Sequence, residues 1–146
     1  MREILLAEDN PADVYLIREA LQEHGVECPM RVAADGKEVL QILSLAAAQT
    51  SESAPQAPQL GLIILDLNLP RHDGIEILER LRKTAALADV PVVVLTSSDS
   101  PRDRQAANAL GATRFLRKPS SLEQFLGLGA VFKELLQDGL AKQAAL

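Results

Sequence analysis

Short runs of aliphatic residues alternate along this chain with longer segments in which apolar residues recur every three or four positions. The short runs predict strands, and the longer segments predict amphipathic helices. The run at 60–65 contains no polar residue, which is typical of a strand buried on both faces of a parallel sheet. The other predicted strands lie at 4–7, 30–33, 90–95 and 114–117. Because strand and helix alternate five times, the pattern predicts an α/β fold with a doubly wound, five-stranded parallel sheet.

Polar residues and prolines predict where two of the helices begin. Asn10 can cap the first helix, and Pro11 suits its first turn. Asp13 follows in that turn, where a negative charge is favourable near the positive end of the helix dipole. Ser100 and Pro101 repeat the same chemistry, so a helix is expected to start there as well.

The last strand and the last helix have weaker patterns. The strand at 114–117 is short and carries arginine at both ends, which indicates an edge position in the sheet. Either Ser120 or Ser121 can cap the helix that follows. Gly127 and Gly129 weaken that helix locally.

The length of the chain predicts a single domain over residues 1–146. Residues 47–59 are polar, small and interrupted by proline, so they are expected to form an exposed insertion loop. Residues 138–146 are expected to form a short tail. We therefore expect no output domain within these residues.

Composition narrows the class of protein. The formal net charge of -5 argues against a general nucleic-acid or membrane-surface binder. No apolar run approaches the roughly 18 residues of a membrane span, and the run at 4–7 is too short for a signal peptide. The single Cys28 cannot form an intramolecular disulfide, which fits a reducing compartment. We therefore expect a cytoplasmic protein.

Polar residues follow four of the predicted strands: Glu8, Asp9, Asp66, Thr96 and Lys118. The carboxyl ends of parallel strands meet at one edge of a sheet, where open α/β sheets bind ligands. Three crowded carboxylates repel one another unless a cation is present. A site made only of oxygen ligands suits Mg²⁺, and a phosphoryl group bound there would also meet the lysine. Alone, each acid has a simpler interpretation as a turn former or a solvated strand end.

An ordered set of motifs resembles the receiver domain of bacterial two-component response regulators: Glu8-Asp9, Asp66, Thr96 and Lys118-Pro119. The resemblance covers about residues 2–137. It implies a flavodoxin-like (βα)5 fold with strand order 2-1-3-4-5. It also implies a phosphoacceptor signalling protein rather than an enzyme, with only Mg²⁺-dependent self-phosphorylation and dephosphorylation.

The resemblance assigns a role to each site residue. Asp66 would be the phosphoacceptor. Glu8 and Asp9 would hold Mg²⁺ together with Asp66, directly or through water, and the backbone carbonyl of Asn68 would supply a further metal oxygen. Lys118 would contact the acyl phosphate.

Two further positions belong to the family's conformational switch. The resemblance assigns Thr96 to a phosphoryl oxygen and Phe115 to the aromatic switch, and it implies a cis peptide bond before Pro119. Ser97 and Ser98 are equally good loop hydroxyls, however, and Phe115 fits simple core packing as well as a switch.

Narrower features are most similar to small stand-alone regulators partnered with bacterial phytochromes. These features are the opening at 8–13, the turn at 65–70 and the long loop before the third strand. They imply a sensor histidine kinase of the phytochrome type as partner. The fourth helix, fifth strand and fifth helix form a candidate homodimer surface. In the last helix, Leu126, Phe132 and Leu135 either leave apolar surface exposed for dimerisation or belong to the core.

Three alternatives remain open on the sequence alone. A phosphatase resembling haloacid dehalogenases also uses an aspartyl nucleophile, but Asn68 replaces the second Asp that serves there as acid and base. A phosphate-independent interaction module would carry the acidic site as a vestige. A nucleotide-binding flavodoxin-like domain lacks support because no Gly-rich loop follows Ala7.

Overall fold

The computed structural model describes residues 2–47, 59–70, 72–98 and 100–144. Residues 48–58 of the predicted insertion loop lie outside the described part. The strands are β1 (Arg2–Ala7), β2 (Met30–Ala33), β3 (Gln59–Leu65), β4 (Val92–Thr96) and β5 (Arg114–Arg117). The helices are α1 (Pro11–Glu23), α2 (Gly36–Ala47), α3 (Gly74–Lys83), α4 (Pro101–Ala109), α5 (Leu122–Gly127) and α6 (Gly129–Ala144), with a 3-10 turn at Ala85–Leu87.

The five strands form one parallel sheet in the order β2-β1-β3-β4-β5, which confirms the predicted fold and the edge position of β5. The register pairs Ala7 with Leu65, so the residues that follow these two strands are neighbours. The backbone N–H of Asp66 donates to the carbonyl of Ala7 over 3.0 Å. The ladder therefore places Glu8 beside Asp66.

Two apolar cores cover the two faces of the sheet. Ile63 and Leu65 pack on one face against residues of α2 and α3, and Leu62 and Ile64 pack on the other against residues of α1, α5 and α6. β3 is thus buried on both faces, as its continuous apolar sequence predicts. In the part of the chain described above, no helix combines the length and hydropathy that a membrane crossing requires.

Side-chain hydrogen bonds cap the N-termini of α1, α4 and α5, as the sequence predicts. The side chain of Asn10 accepts from the backbone N–H of Ala12, and Ser100 accepts from that of Asp103. Of the two candidate serines before α5, Ser121 is the cap, because it accepts from the N–H of Gln124 over 3.1 Å.

The C-terminal part differs from the prediction in two ways. The expected last helix is divided into α5 and α6 at Leu128, and α6 continues through residues 138–144, where a tail was expected. Gly129 begins α6 against the backbone carbonyl of Ala20, where any side chain would collide. Close packing of α6 against α1 therefore requires glycine at this position.

The apolar residues of this region belong mainly to the core. Phe132 is fully buried, Leu135 is 5% exposed and Leu126 is half-buried. The interpretation of Phe132 and Leu135 as an exposed dimer surface is therefore wrong, because both pack under β1 and β3.

Candidate functional site

The carboxyl edge of the sheet brings the predicted acids together. Glu8 and Asp66 are only 2% and 4% exposed, whereas Asp9 is exposed. Each of the three offers a carboxylate oxygen, and these oxygens lie within 4.8 Å of one another. All the donors in this set are hard carboxylate oxygens, and the set is open to solvent at Asp9. Such a site fits Mg²⁺ or a similar divalent cation.

Lys118 lies at the centre of these acids. Its Nζ is 2.6 Å from Oε1 of Glu8, 2.8 Å from Oδ2 of Asp66 and 2.8 Å from Oδ2 of Asp13. The backbone fixes its position, because the N–H of Lys118 donates to the carbonyl of Thr96 over 2.8 Å as β5 leaves the sheet. The structure therefore joins the residues predicted at four strand ends into one charged cluster.

Asp13 is a site residue that the sequence reasoning missed. Its place in the first turn of α1 suggested only a favourable interaction with the helix dipole. Its side chain instead reaches Lys118, although 105 positions separate the two residues. The available signal was its position four residues after Asp9, in the first turn of the helix that follows β1. Three carboxylates, those of Glu8, Asp13 and Asp66, thus contact one lysine.

Burial and side-chain hydrogen bonds shift the pKa values of Glu8 and Lys118 in opposite directions. Burial raises the pKa of Glu8 to about 7; the hydrogen bond from Lys118 opposes this shift and the charge of Asp66 adds to it. Burial lowers the pKa of Lys118, but its hydrogen bonds to Asp13, Asp66 and Glu8 outweigh burial and hold that pKa above its usual range. The lysine therefore stays charged, and the pKa of Glu8 lies well above the usual range of a glutamate.

The loop after β3 orients Asp66 and connects it to Thr96. The backbone N–H of Asn68 donates to Oδ1 of Asp66 over 2.9 Å. The side-chain amide of Asn68 donates to the hydroxyl oxygen of Thr96 over 3.1 Å. The predicted contact of the Asn68 carbonyl with a metal stays a prediction.

Among the three hydroxyls at the end of β4, that of Thr96 is the one in contact with the site, through the side chain of Asn68. Thr96 is fully buried, and it also accepts from the backbone N–H of Ser98 over 3.3 Å. Ser97 is exposed, and the hydroxyl of Ser98 donates to Asp103. The geometry thus separates three residues that the sequence could not.

Phe115 is half-buried in β5, where it pairs with Val94 and packs against the core on the α2 and α3 face. The guanidinium carbon of Arg104 lies 4.9 Å from the centre of its ring, a cation–π arrangement. The peptide bond before Pro119 is trans, as are all those in the described residues, so the expected cis bond is wrong. The trans form is the intrinsically favoured one for any residue before proline.

Comparison with known proteins agrees with this geometry. Residues 4–128 match the response regulator receiver domain, and the chain belongs to that family. It is 34% identical over 120 residues to the response regulator Rcp1 of Synechocystis, which covers 82% of this chain and 78% of that protein.

Solved structures give the same result. The phosphorylated cyanobacterial phytochrome response regulator RcpA superposes with a TM-score of 0.79 at 34% identity, covering 93% of this chain and 94% of that one. The Mn²⁺-bound form of Rcp1 gives a TM-score of 0.74 at 31% identity, covering 91% and 92%. The chain is thus a response regulator receiver domain homologous to a phytochrome regulator, and a signalling protein rather than a classical enzyme. The phosphatase and nucleotide-binding alternatives are set aside.

Proposed function

We propose that Asp66 accepts a phosphoryl group from the phosphohistidine of a sensor histidine kinase. The observation that carries this proposal is the ammonium of Lys118, 2.8 Å from Oδ2 of Asp66, in a pocket that also holds Glu8 and Asp9. A buried carboxylate next to a fixed cation combines a nucleophile with the positive charge that phosphoryl transfer requires. Similarity to RcpA, described as a phytochrome response regulator, supports a kinase of the phytochrome type.

The transfer step follows from this arrangement. An oxygen of Asp66 attacks phosphorus, the O–P bond forms as the P–N bond breaks, and the electron pair of the broken bond goes to the imidazole of the kinase. Lys118 donates hydrogen bonds to the phosphoryl oxygens, because the carboxylate it contacts loses its charge on becoming an acyl phosphate. Glu8, Asp9 and Asp66 would hold Mg²⁺, which when bound neutralises charge on the phosphoryl oxygens. Attack by water at phosphorus later restores the Asp66 carboxylate and releases phosphate.

The signal is a shift between two packings of the same fold. The Thr96 hydroxyl would turn from its contact with the Asn68 amide toward a phosphoryl oxygen. The space that it leaves would admit the ring of Phe115, which now lies half-buried under Arg104. The surface of α4, β5 and α5 would change shape as a result, and this surface is our candidate for contact with a target or with a second copy of the chain. We place this exchange in the cytoplasm.

Phosphotransfer from a labelled kinase tests the proposal directly. A purified phytochrome-type histidine kinase is autophosphorylated with radiolabelled ATP and mixed with the native chain, Asp66→Asn or Asp73→Asn in the presence of Mg²⁺. Asp73 is a matched control, because it is an exposed aspartate that caps α3 and asparagine keeps this role. Label should move to the native chain and to the control, and not to Asp66→Asn. Transfer to Asp66→Asn at the native rate would contradict the proposal. A non-phytochrome kinase in parallel tests the choice of partner.

A further inference from the structure

All the donor capacity of Lys118 is directed at carboxylates. An ammonium group has three N–H donors and no acceptor. Its three neighbours in the structure are single oxygens of Glu8, Asp13 and Asp66, at 2.6, 2.8 and 2.8 Å. The side chain of Lys118 is 13% exposed and that of Asp13 is 17% exposed, so little water competes for these contacts. The direction of the ammonium is therefore fixed by three acids rather than by its flexible stem.

The three acids that contact Lys118 have different roles in the phosphoryl transfer proposed above. Glu8 and Asp66 belong to the set whose oxygens converge for a cation, and Asp66 becomes the acyl phosphate. Asp13 is outside that converging set, so its carboxylate is free to keep its bond to Lys118 throughout. It is also held rigidly, since it stands in the first turn of α1, after the cap at Asn10.

On the basis of the function proposed above, we propose that Asp13 is a positioning residue. It holds one N–H of Lys118 and thereby directs the other two at Asp66 and at the phosphoryl group that arrives there. Removal of this anchor leaves the lysine charged but, once Glu8 and Asp66 are engaged with the cation and the phosphoryl group, without a fixed partner to limit rotation about its four-carbon stem. Misplacement of a catalytic group by about 1 Å can reduce a rate by up to about 100-fold.

A simpler role for Asp13 would be stabilisation of α1 through the helix dipole. The two roles differ in what a substitution affects. A helix role would alter unfolding and leave Lys118 and the phosphorylation rate unchanged. A charge effect alone would be removed equally by Asp13→Asn and Asp13→Ala. A positioning role depends on a hydrogen-bond acceptor, which the asparagine amide oxygen still provides and alanine does not.

The experiment measures the rate of phosphorylation by acetyl phosphate at saturating Mg²⁺ for the native chain, Asp13→Asn, Asp13→Ala and Glu23→Gln. Glu23 is an exposed acid at the other end of α1, so its substitution removes one charge without touching Lys118. We expect Asp13→Ala to be slower by about tenfold, and Asp13→Asn and Glu23→Gln to stay within about threefold of the native rate. Circular dichroism establishes that each variant is folded. A native rate in Asp13→Ala, or equal loss in both Asp13 variants, would overturn the proposal.

A second measurement does not depend on phosphorylation. In ¹⁵N-lysine-labelled protein without Mg²⁺, the ammonium of Lys118, assigned by its loss in Lys118→Arg, should exchange its protons slowly. This protection should decrease in Asp13→Ala, in which only Glu8 and Asp66 still accept from Lys118, and persist in Asp13→Asn. Equal protection in Asp13→Ala would overturn the anchoring role, even if the native chain proved not to be a phosphoacceptor. Failure of the native chain to react with acetyl phosphate would instead refute the proposed function.

Discussion

The ammonium of Lys118 lies 2.8 Å from a carboxylate oxygen of Asp66, although 52 positions separate the two residues in the chain. The parallel sheet makes this contact possible, because β3 and β5 both end at its carboxyl edge and β4 lies between them.

Loss of Lys118 should destabilise the fold, because the carboxylates around it would repel one another without its positive charge. In Lys118→Met without Mg²⁺ at pH 8, we expect the free energy of unfolding to fall by about 3 kcal/mol, since removing one partner of a buried ion pair leaves the others uncompensated. Mg²⁺ should restore part of this loss by supplying the missing positive charge. Urea unfolding followed by circular dichroism provides the measurement. Lys83→Met, which removes an exposed ion pair with Glu79, is the control and should change stability little. Equal stability of Lys118→Met and the native chain, with no response to Mg²⁺, would contradict this expectation.

Substitution of a proposed metal ligand should weaken the response to Mg²⁺ without unfolding the chain. Asp9 is exposed, so Asp9→Asn should leave stability in EDTA nearly unchanged. The native chain should gain about 2.7 kcal/mol at free Mg²⁺ 100 times its Kd, and Asp9→Asn should gain much less. Thermal unfolding in EDTA and in Mg²⁺ measures both. An identical Mg²⁺-induced shift in Tm for the two proteins would show that Asp9 is not a ligand.

Arg104 should stabilise the observed position of the Phe115 ring. A double-mutant cycle with Arg104→Ala and Phe115→Leu isolates the contact from other effects of each substitution. For a cation–π contact at this partly exposed site, we expect a coupling of about 0.5–1 kcal/mol. Phosphorylation should reduce the coupling if Phe115 turns inward. A coupling of zero in the unphosphorylated chain would remove Arg104 from the account of the switch.

Gly74 should be required for the shape of the loop that carries Asp66. A side chain at this position would meet the backbone of Leu67, whose carbonyl oxygen lies 2.7 Å from the position of an added Cβ. Gly74→Ala should therefore reduce stability by about 1–3 kcal/mol and slow phosphorylation of Asp66, the residue before Leu67. Gly127→Ala is the matched control, because nothing lies within 4 Å of its added Cβ. If both variants behaved alike, the close approach at Gly74 would have no functional consequence.

The sequence predicted the fold well because its strongest signals are local. The continuous apolar run of β3 ends in Asp66, and caps such as Asn10 and Ser100 mark helix starts wherever those helices later pack. These features are determined by residues close together in the chain, so they can be predicted from a single sequence.

The features that it missed depend on residues far apart in the chain. Asp13 had a sufficient local explanation in α1, and only the folded sheet shows its contact with Lys118. The close contact of Gly129 with the backbone of Ala20 likewise depends on how two distant helices pack. Thr96 could be separated from its neighbouring serines only once Asn68 was in place.

The most direct test of the central claim is intact-protein mass after incubation with acetyl phosphate, with and without Mg²⁺, for the native chain, Asp66→Asn and Asp73→Asn. The account predicts a gain of one phosphoryl group in the native chain and in Asp73→Asn. The gain should require Mg²⁺ and be labile in base, and it should be absent in Asp66→Asn. A native chain that gains no mass under any condition, or an Asp66→Asn variant that gains as much, would contradict the assignment of Asp66 as the phosphoacceptor.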